Sequence, residues 1–403
     1  MVDISPDNVM VDGDLNVYFI DLEDCFIEAF QNKASYSIPN AYFSNSDLLD
    51  LDIFNQDKHK VGYLIMSVLC SANEMLSMDK TGAITLKIFN EFSRRYSIPN
   101  KMYQTILNLI CNPSFSLLNR KEYTYPTDQT IYSVSEDYKI LLKSLKTAKK
   151  DCLSPEEFCG LIYIEHDAAT NINVEELSLV NQCLYLIKEV SHTNNLLILE
   201  RIMSKERELK ENLNRFMEEA NYSLTDGALA VAYFYLKLYE VTLEKEFLSN
   251  TLHILLEINE EGKYISHGKL IPNSKFTCSP YMKYTSGYIR LGLMYLRHKD
   301  NDKLKTILKD YLKGIDNNFP KNPSYLNGLS GIADTFIDAY KFYGDASYLN
   351  SALDKYTVIR LFKLDNDTYP CNDLEKVSLG FNNGMLGILH FFNNLFSEVE
   401  VGI

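Results

Sequence analysis

The 403 residues leave room for two or three domains at about 150 residues each, and an apolar share of 46% excludes a globally disordered chain. A net charge of −14 excludes a protein that grips a phosphate backbone, while favouring solubility and a basic partner peptide. No apolar run reaches the roughly 20 residues of a membrane-spanning helix; the longest is Val61–Cys70, and no basic leader accompanies Asp3 and Asp7.

Residues 9–23 alternate apolar and polar side chains around the turn signal Asp12-Gly13-Asp14, which predicts a hairpin. Val17-Tyr18-Phe19-Ile20 reads as a short buried strand ending in Asp21. After Pro39 the period changes, and Val61, Leu64, Ile65, Val68 and Leu69 fall on one face of a predicted helix. Residues from about 114 to 215 read as polar helix with a charged run over 205–210, a connector or the first helices of the repeat region beyond it. The eight cysteines include no Cys-x-x-Cys pair, the pattern of reduced thiols in a cytoplasmic protein.

From about 216 to 403 the chain repeats one pattern: polar loop, small residues, then an apolar helix rich in aromatics. The small residues are Gly227-Ala228-Leu229-Ala230, Tyr284-Thr285-Ser286-Gly287, Gly328-Leu329-Ser330-Gly331 and Gly384-Met385-Leu386-Gly387. Their last positions, 230, 287, 331 and 387, are 57, 44 and 56 residues apart, enough for two helices and their loops. Helix pairs with glycine at each inner-helix start predict an α/α toroid, because glycine lets backbones crowd near the axis. An ordinary helical bundle with glycine caps is the plainer alternative.

Three features near the start share the order and spacing of a protein-kinase C-lobe. Asp3-Ile4-Ser5-Pro6-Asp7-Asn8 resembles the end of the catalytic loop, where Asn follows Asp by five residues. Asp21-Leu22-Glu23 stands 13 residues after Asn8, where kinases carry Asp-Phe-Gly, and Asp57 with Gly62 resembles the anchor of a buried C-lobe helix. Phosphoryl transfer needs a carboxylate facing the attacking hydroxyl, here Asp3, and an amide and a carboxylate on magnesium, here Asn8 and Asp21. The chain shows only Met1-Val2 before Asp3, with no glycine-rich loop, so kinase activity is not expected from it alone.

A kinase-like lobe followed by glycine-punctuated helices resembles the class III and class IV lanthipeptide synthetases. The wording Asp-Ile-Ser-Pro-x-Asn at 3–8, Asp21-Leu22-Glu23, Ser324 to Ile332, and Ser378 to Ile388 carries the resemblance. It implies a kinase-like C-lobe at 1–113, a connector or first toroid helices at 114–215, and a lanthionine synthetase C-like helical repeat domain at 216–403. It further implies magnesium and ATP completed by a complementing N-lobe, a precursor peptide as partner, and a separate subunit supplying that N-lobe and a lyase. In this family, zinc-dependent cyclases hold the metal with a Cys in one repeat and a Cys-His pair in a later one. Here Leu326-Asn327-Gly328 stands at the Cys-His-Gly and Met282-Lys283-Tyr284 at the first Cys-x-Gly, so no zinc is expected. Cys278 and Cys371 remain as thiols near those loops, and His267 and His298 flank the second repeat.

A zinc-free cyclase relies on proximity and a general base. His390, the one histidine within the four apolar segments, is the expected base, weighed against a satisfied core histidine. Tyr284 and Asn327, at loop tips, are expected substrate contacts. Two other readings stand beside this one. The chain is an inactive peptide- or partner-binding toroid, or an unrelated toroid acting on sugars. The last needs paired carboxylates in the central pit, where the repeat tips offer Asp226.

Overall fold

The turn Asp12-Gly13-Asp14 joins two strands, as its residue types dictate: β1 (Val9–Val11) runs antiparallel to β2 (Val17–Phe19), with Val9 opposite Phe19 and Val11 opposite Val17. The computed structural model describes residues 8–20, 52–70, 79, 82–114, 120–127, 133–147, 179–193, 196–265, 267–275, 277–317, 322–364, 367–370 and 377–401. The Asp12 carboxylate accepts from the backbone N–H of Asp14 and of Asn16 and from the Tyr18 hydroxyl, each at 2.9 Å. The expected buried strand is corrected here: Val17 and Tyr18 are exposed, with Met10, Val11 and Leu15 beside them. A two-stranded ribbon supplies no second layer against which to bury a face.

The described residues fall into two units, one up to residue 127 and one from 133 onward. In the first, α1 (Ile53–Cys70) packs on α2 (Ala83–Arg95) and α3 (Asn100–Cys111). Helix α1 exists as the period predicts, but its buried face is the neighbouring one. His59, Tyr63, Met66 and Cys70 are buried, whereas Val68 and Leu69 are exposed. Gly62 decides this, because a Cβ there would stand 2.8 Å from the side chains of Leu109 and Ile110. Without that Cβ, α3 closes on the glycine face, and His59 Nδ1 reaches the Ile110 carbonyl at 2.8 Å. Asp57 lies half-buried in the same helix.

Among its described residues, the regular structure of the second unit is helical apart from one small sheet. Its helices are α4 (Val134–Thr147), α5 (Leu179–Thr193), α6 (Leu196–Glu218), α7 (Ala228–Thr242), α8 (Lys245–Glu261), α9 (Thr285–His298), α10 (Asp302–Ile315), α11 (Leu329–Tyr343), α12 (Ala346–Leu361) and α13 (Met385–Val401). Helices α7, α9, α11 and α13 form a row in chain order, with α8, α10 and α12 each packed on the helix before it. Helix α4 packs on α13, and α5 on α7 with α6 as its partner.

Composition separates the two layers. Helix α7 buries every residue from Ala228 to Leu236, as an inner helix must, whereas α10 buries one stripe, Leu304, Leu308, Tyr311, Leu312 and Ile315. Asn301 caps α10 by accepting from the Leu304 N–H at 2.9 Å. Within the charged run over 205–210, Arg207, Glu208 and Lys210 are exposed, whereas Leu209 is buried like Ile202 and Glu206 accepts from the Tyr235 hydroxyl at 2.7 Å. Between α8 and α9 lies a sheet of β3 (Lys263–Tyr264), β4 (Lys269–Pro272) and β5 (Cys278–Ser279), with β4 packed on α8 and α10. This mainly helical two-layer arrangement is the expected α/α toroid type.

Candidate functional site

Each inner helix starts from a tight loop whose shape its small residues permit. A Cβ at Gly331 would collide with the Tyr325 carbonyl and approach Met282 Cβ to 2.9 Å, so the loop before α11 folds this closely only with glycine there. Serines finish the job: Ser286 Oγ donates to the Pro280 carbonyl at 2.6 Å, and Ser330 Oγ to Pro323 at 2.5 Å. The loops then join one another through backbone. The Leu224 N–H donates to the Lys283 carbonyl at 2.7 Å, Lys283 N–H to Leu326 at 3.1 Å, and Leu326 N–H to Asn382 at 2.8 Å. Four segments far apart in sequence thus meet as one row at the N-terminal ends of the inner helices.

That row brings Lys283 and Leu326 side by side, uniting the two loops in which the resemblance looked for zinc ligands. Met282 and Leu326 are not among the Cys, His, Asp and Glu side chains that hold zinc, and no group of three or more His, Cys, Asp or Glu suited to a metal occurs among the described residues. Asp226 accepts from Ser223 Oγ at 2.6 Å and Thr225 Oγ1 at 2.8 Å, and stands 3.8 Å from Lys283 Nζ. Burial raises the Asp226 pKa, yet these hydroxyls and Lys283 outweigh it and hold the carboxyl below its ordinary value.

Below the loops, α9, α11 and α13 share a polar cluster centred on the buried Asp334. Its Oδ2 accepts from Arg290 at 3.0 Å and from the Tyr325 hydroxyl at 2.5 Å, and its Oδ1 from Asn394 Nδ2 at 2.8 Å. Arg290 also contacts Tyr325 and reaches Asp338 at 2.8 Å. His390 Nε2 lies 3.4 Å from Asp334 Oδ2 and 3.0 Å from Asn394 Nδ2, while the ring meets Tyr325 and Phe381 edge-on at 5.7 and 5.6 Å. Burial works against ionisation of Asp334, but Arg290, His390 and Asn394 overcome it and hold the carboxyl well below the carboxylate range. Burial instead prevails at Asp338, whose pKa is raised despite Arg290. Both carboxylates are engaged with Arg290, so they do not form the open acid/base pair that a sugar-processing pit needs.

Of the residues singled out from sequence, Asp3, Asp21 and Cys371 lie outside the described residues. Asn8 is buried at the head of β1, where its carbonyl accepts from the Ile20 N–H at 3.0 Å. Tyr284 is half-buried at the start of α9 with Lys283 Nζ 6.0 Å above its ring. Asn327 is half-buried, its carbonyl 3.4 Å from Asn322 Nδ2. His267 is exposed, and His298, the last residue of α9, pairs with Glu240 at 3.0 Å. Cys278 sits half-buried in β5, where burial pushes its thiol up and Lys263 only partly opposes it. The structure therefore joins Tyr284 and Asn327 to the loop row and places His390 in the polar cluster. Sequence reading missed Arg290, Asp334 and Asn394, although two charged residues inside apolar helices are a readable anomaly.

No curated protein matches the chain in sequence. Among solved structures, a cellobiose 2-epimerase from Spirochaeta thermophila is similar over 56% of this chain and 71% of its own, at 9% identity and a TM-score of 0.38. A family 76 α-mannanase from Bacteroides thetaiotaomicron is similar over 68% of this chain and 98% of its own, at 11% identity and a TM-score of 0.40. Likeness at that level carries no functional inference. A family model does match: residues 218–399, which hold the loop row and the polar cluster, fit the lanthionine synthetase C-like protein family.

Proposed function

We propose that the second unit is a zinc-free lanthionine cyclase acting on a precursor peptide that carries cysteine and a dehydroamino acid. The observation that carries this reading is the family match over a loop row in which Met282, Leu326 and Asn327 stand at the ligand positions implied by the resemblance. His390 is the base. Its ring takes up the cysteine thiol proton, and Nε2, which accepts from Asn394 Nδ2 at 3.0 Å in the neutral ring, stands 3.4 Å from Asp334 Oδ2. The thiolate sulfur then bonds to the β-carbon of the dehydroamino acid, the carbon–carbon double bond becomes single, and a proton adds to the α-carbon. Asp334, already ionised through Arg290, stabilises the imidazolium that forms. Tyr284 and Asn327, on adjacent loops, contact the peptide. Ring closure leaves mass unchanged, so the test is the count of alkylatable thiols in a peptide bearing dehydroalanine and cysteine. The expected result is thiol loss that falls by about a hundredfold in His390→Asn. Unchanged thiol content with the native chain would reject the reading.

For the first unit the proposal is a kinase-like C-lobe in which Asn8 and Asp21 hold magnesium and ATP together with an N-lobe. The buried position of Asn8 beside the hairpin and the tight seat of Gly62 on α3 support it. A second reading is favoured by the exposed Met10, Val11, Leu15, Val17 and Tyr18, which give the hairpin an apolar surface suited to a partner chain. Pull-down with the hairpin variant Leu15→Lys separates the two readings. Loss of a partner without loss of magnesium–ATP binding supports the second.

A further inference from the structure

Beside the polar cluster, Leu224, Met282, Leu291, Met294 and Phe381 wall a hollow with an almost wholly apolar surface. Among the described residues lining it, Arg290 alone is charged, and that charge is met by Asp334 at 3.0 Å and Asp338 at 2.8 Å. The polar backbone in the wall is committed as well, since the N–H groups of Leu224 and Leu326 donate to the neighbouring loops. A charged guest would find no uncompensated partner and would lose its hydration. An apolar guest would lose only unfavourable water contact. Two methionines in the wall, Met282 and Met294, have flexible thioether chains that adapt to guests of different shape. Gly287 also lines the hollow, and a Cβ there would press on Leu224 at 2.8 Å, so glycine keeps this wall in place.

We propose that this hollow is a side-chain subsite for a neutral apolar residue, aliphatic or aromatic, adjacent in the peptide to the cysteine that reacts. The adjacency follows from Tyr325 and Phe381, which line the hollow and also contact the His390 ring at 5.7 and 5.6 Å. The inference rests on the cyclase reading for what the peptide does next, but binding in the hollow is measured without any reaction. Burying one leucine-sized side chain corresponds to about a tenfold to hundredfold gain in affinity.

The experiment labels the methionine methyl groups of the full chain and titrates it with two acetylated, amidated tetrapeptides, Ala-Leu-Cys-Ala and Ala-Asp-Cys-Ala. The expected result is a shift of the Met282 and Met294 methyl signals with the leucine peptide, at least tenfold tighter binding than the aspartate peptide, and loss of that preference in Met294→Trp. Should Met294→Trp fail to fold, Leu291→Phe provides the filled hollow, and the two-peptide comparison on the native chain stands by itself. Equal affinities for the two peptides, or a leucine preference that survives filling the hollow, would overturn the proposal. Leucine preference without thiol loss from a dehydroalanine peptide upholds the subsite and rejects the cyclase reading. Thiol loss without leucine preference does the reverse.

Discussion

Asp334 takes hydrogen bonds from Arg290 on α9, from Tyr325 in the loop before α11 and from Asn394 on α13, and removing its carboxylate leaves all three with less than they need. Asp334→Ala is expected to lower stability by about 3 kcal/mol, the scale for breaking a buried ion pair from one side. Asp226→Ala, at a partly exposed pair, is expected to lower it by under about 1 kcal/mol; urea midpoints measure both. His59 gives a pH signature in the first unit. Burial holds its pKa below the ordinary value, so the fold keeps the ring neutral while Nδ1 faces the Ile110 carbonyl. Below about pH 6.5 the unfolded chain binds a proton that the folded chain resists. Stability therefore falls as pH drops from 7 to 5, and His59→Asn should show a smaller fall in its urea midpoint over that interval. At this scale the sequence was legible in part. His390 stood out as a histidine in an apolar segment. Its partners did not, because Arg290 and Asn394 are 44 and 60 residues from Asp334 and only the packed helices bring them together.

Loops that bring inner helices together are the elements on which the site depends, and their glycines are not equivalent to glycines elsewhere. Gly331→Ala would push a Cβ against the Tyr325 carbonyl, and overpacking of that kind costs about 1–3 kcal/mol. Gly344→Ala meets nothing within 4 Å, so its cost is only that of a φ of 69°, about 1 kcal/mol. Thermal denaturation should rank Gly331→Ala as the more damaging, and only that variant should weaken the leucine-peptide affinity. The four inner helices were readable because a segment with small residues, glycine among them, recurs at the start of each of them. Helix α1 was readable by period, yet its buried face was misassigned, since apolar counting gives no weight to Gly62 and the approach of α3 depends on it. The sheet of β3 to β5 was not read at all. Its strands have four residues at most, too short for a period, and pairing with each other and packing of β4 on α8 and α10 define them.

Across the whole second unit, the residues read as a connector or the first toroid helices form helices that pack on the inner helices α7 and α13. Helix α4 carries Asp137, which accepts from the Tyr356 hydroxyl at 2.6 Å and pairs with Arg360 on α12, while Tyr138 stacks on Phe396 of α13 at 5.8 Å. These contacts hold the last inner helix, and with it His390, between α4, α11 and α12. They were hidden in the sequence because the partners of Asp137 lie 219 and 223 residues away. The fold type was legible because a repeat declares itself locally, whereas the order of the layers depends on which distant helices share an apolar face.

The proposed activity of this domain is thioether ring closure with a histidine base and no zinc. The most direct test measures thiol loss from a dehydroalanine- and cysteine-bearing peptide on the full chain after dialysis against a zinc chelator, then again with zinc restored. Equal rates in the two conditions, both lowered in His390→Asn, are the predicted result. Thiol loss that stops on chelation and returns with zinc would contradict the account.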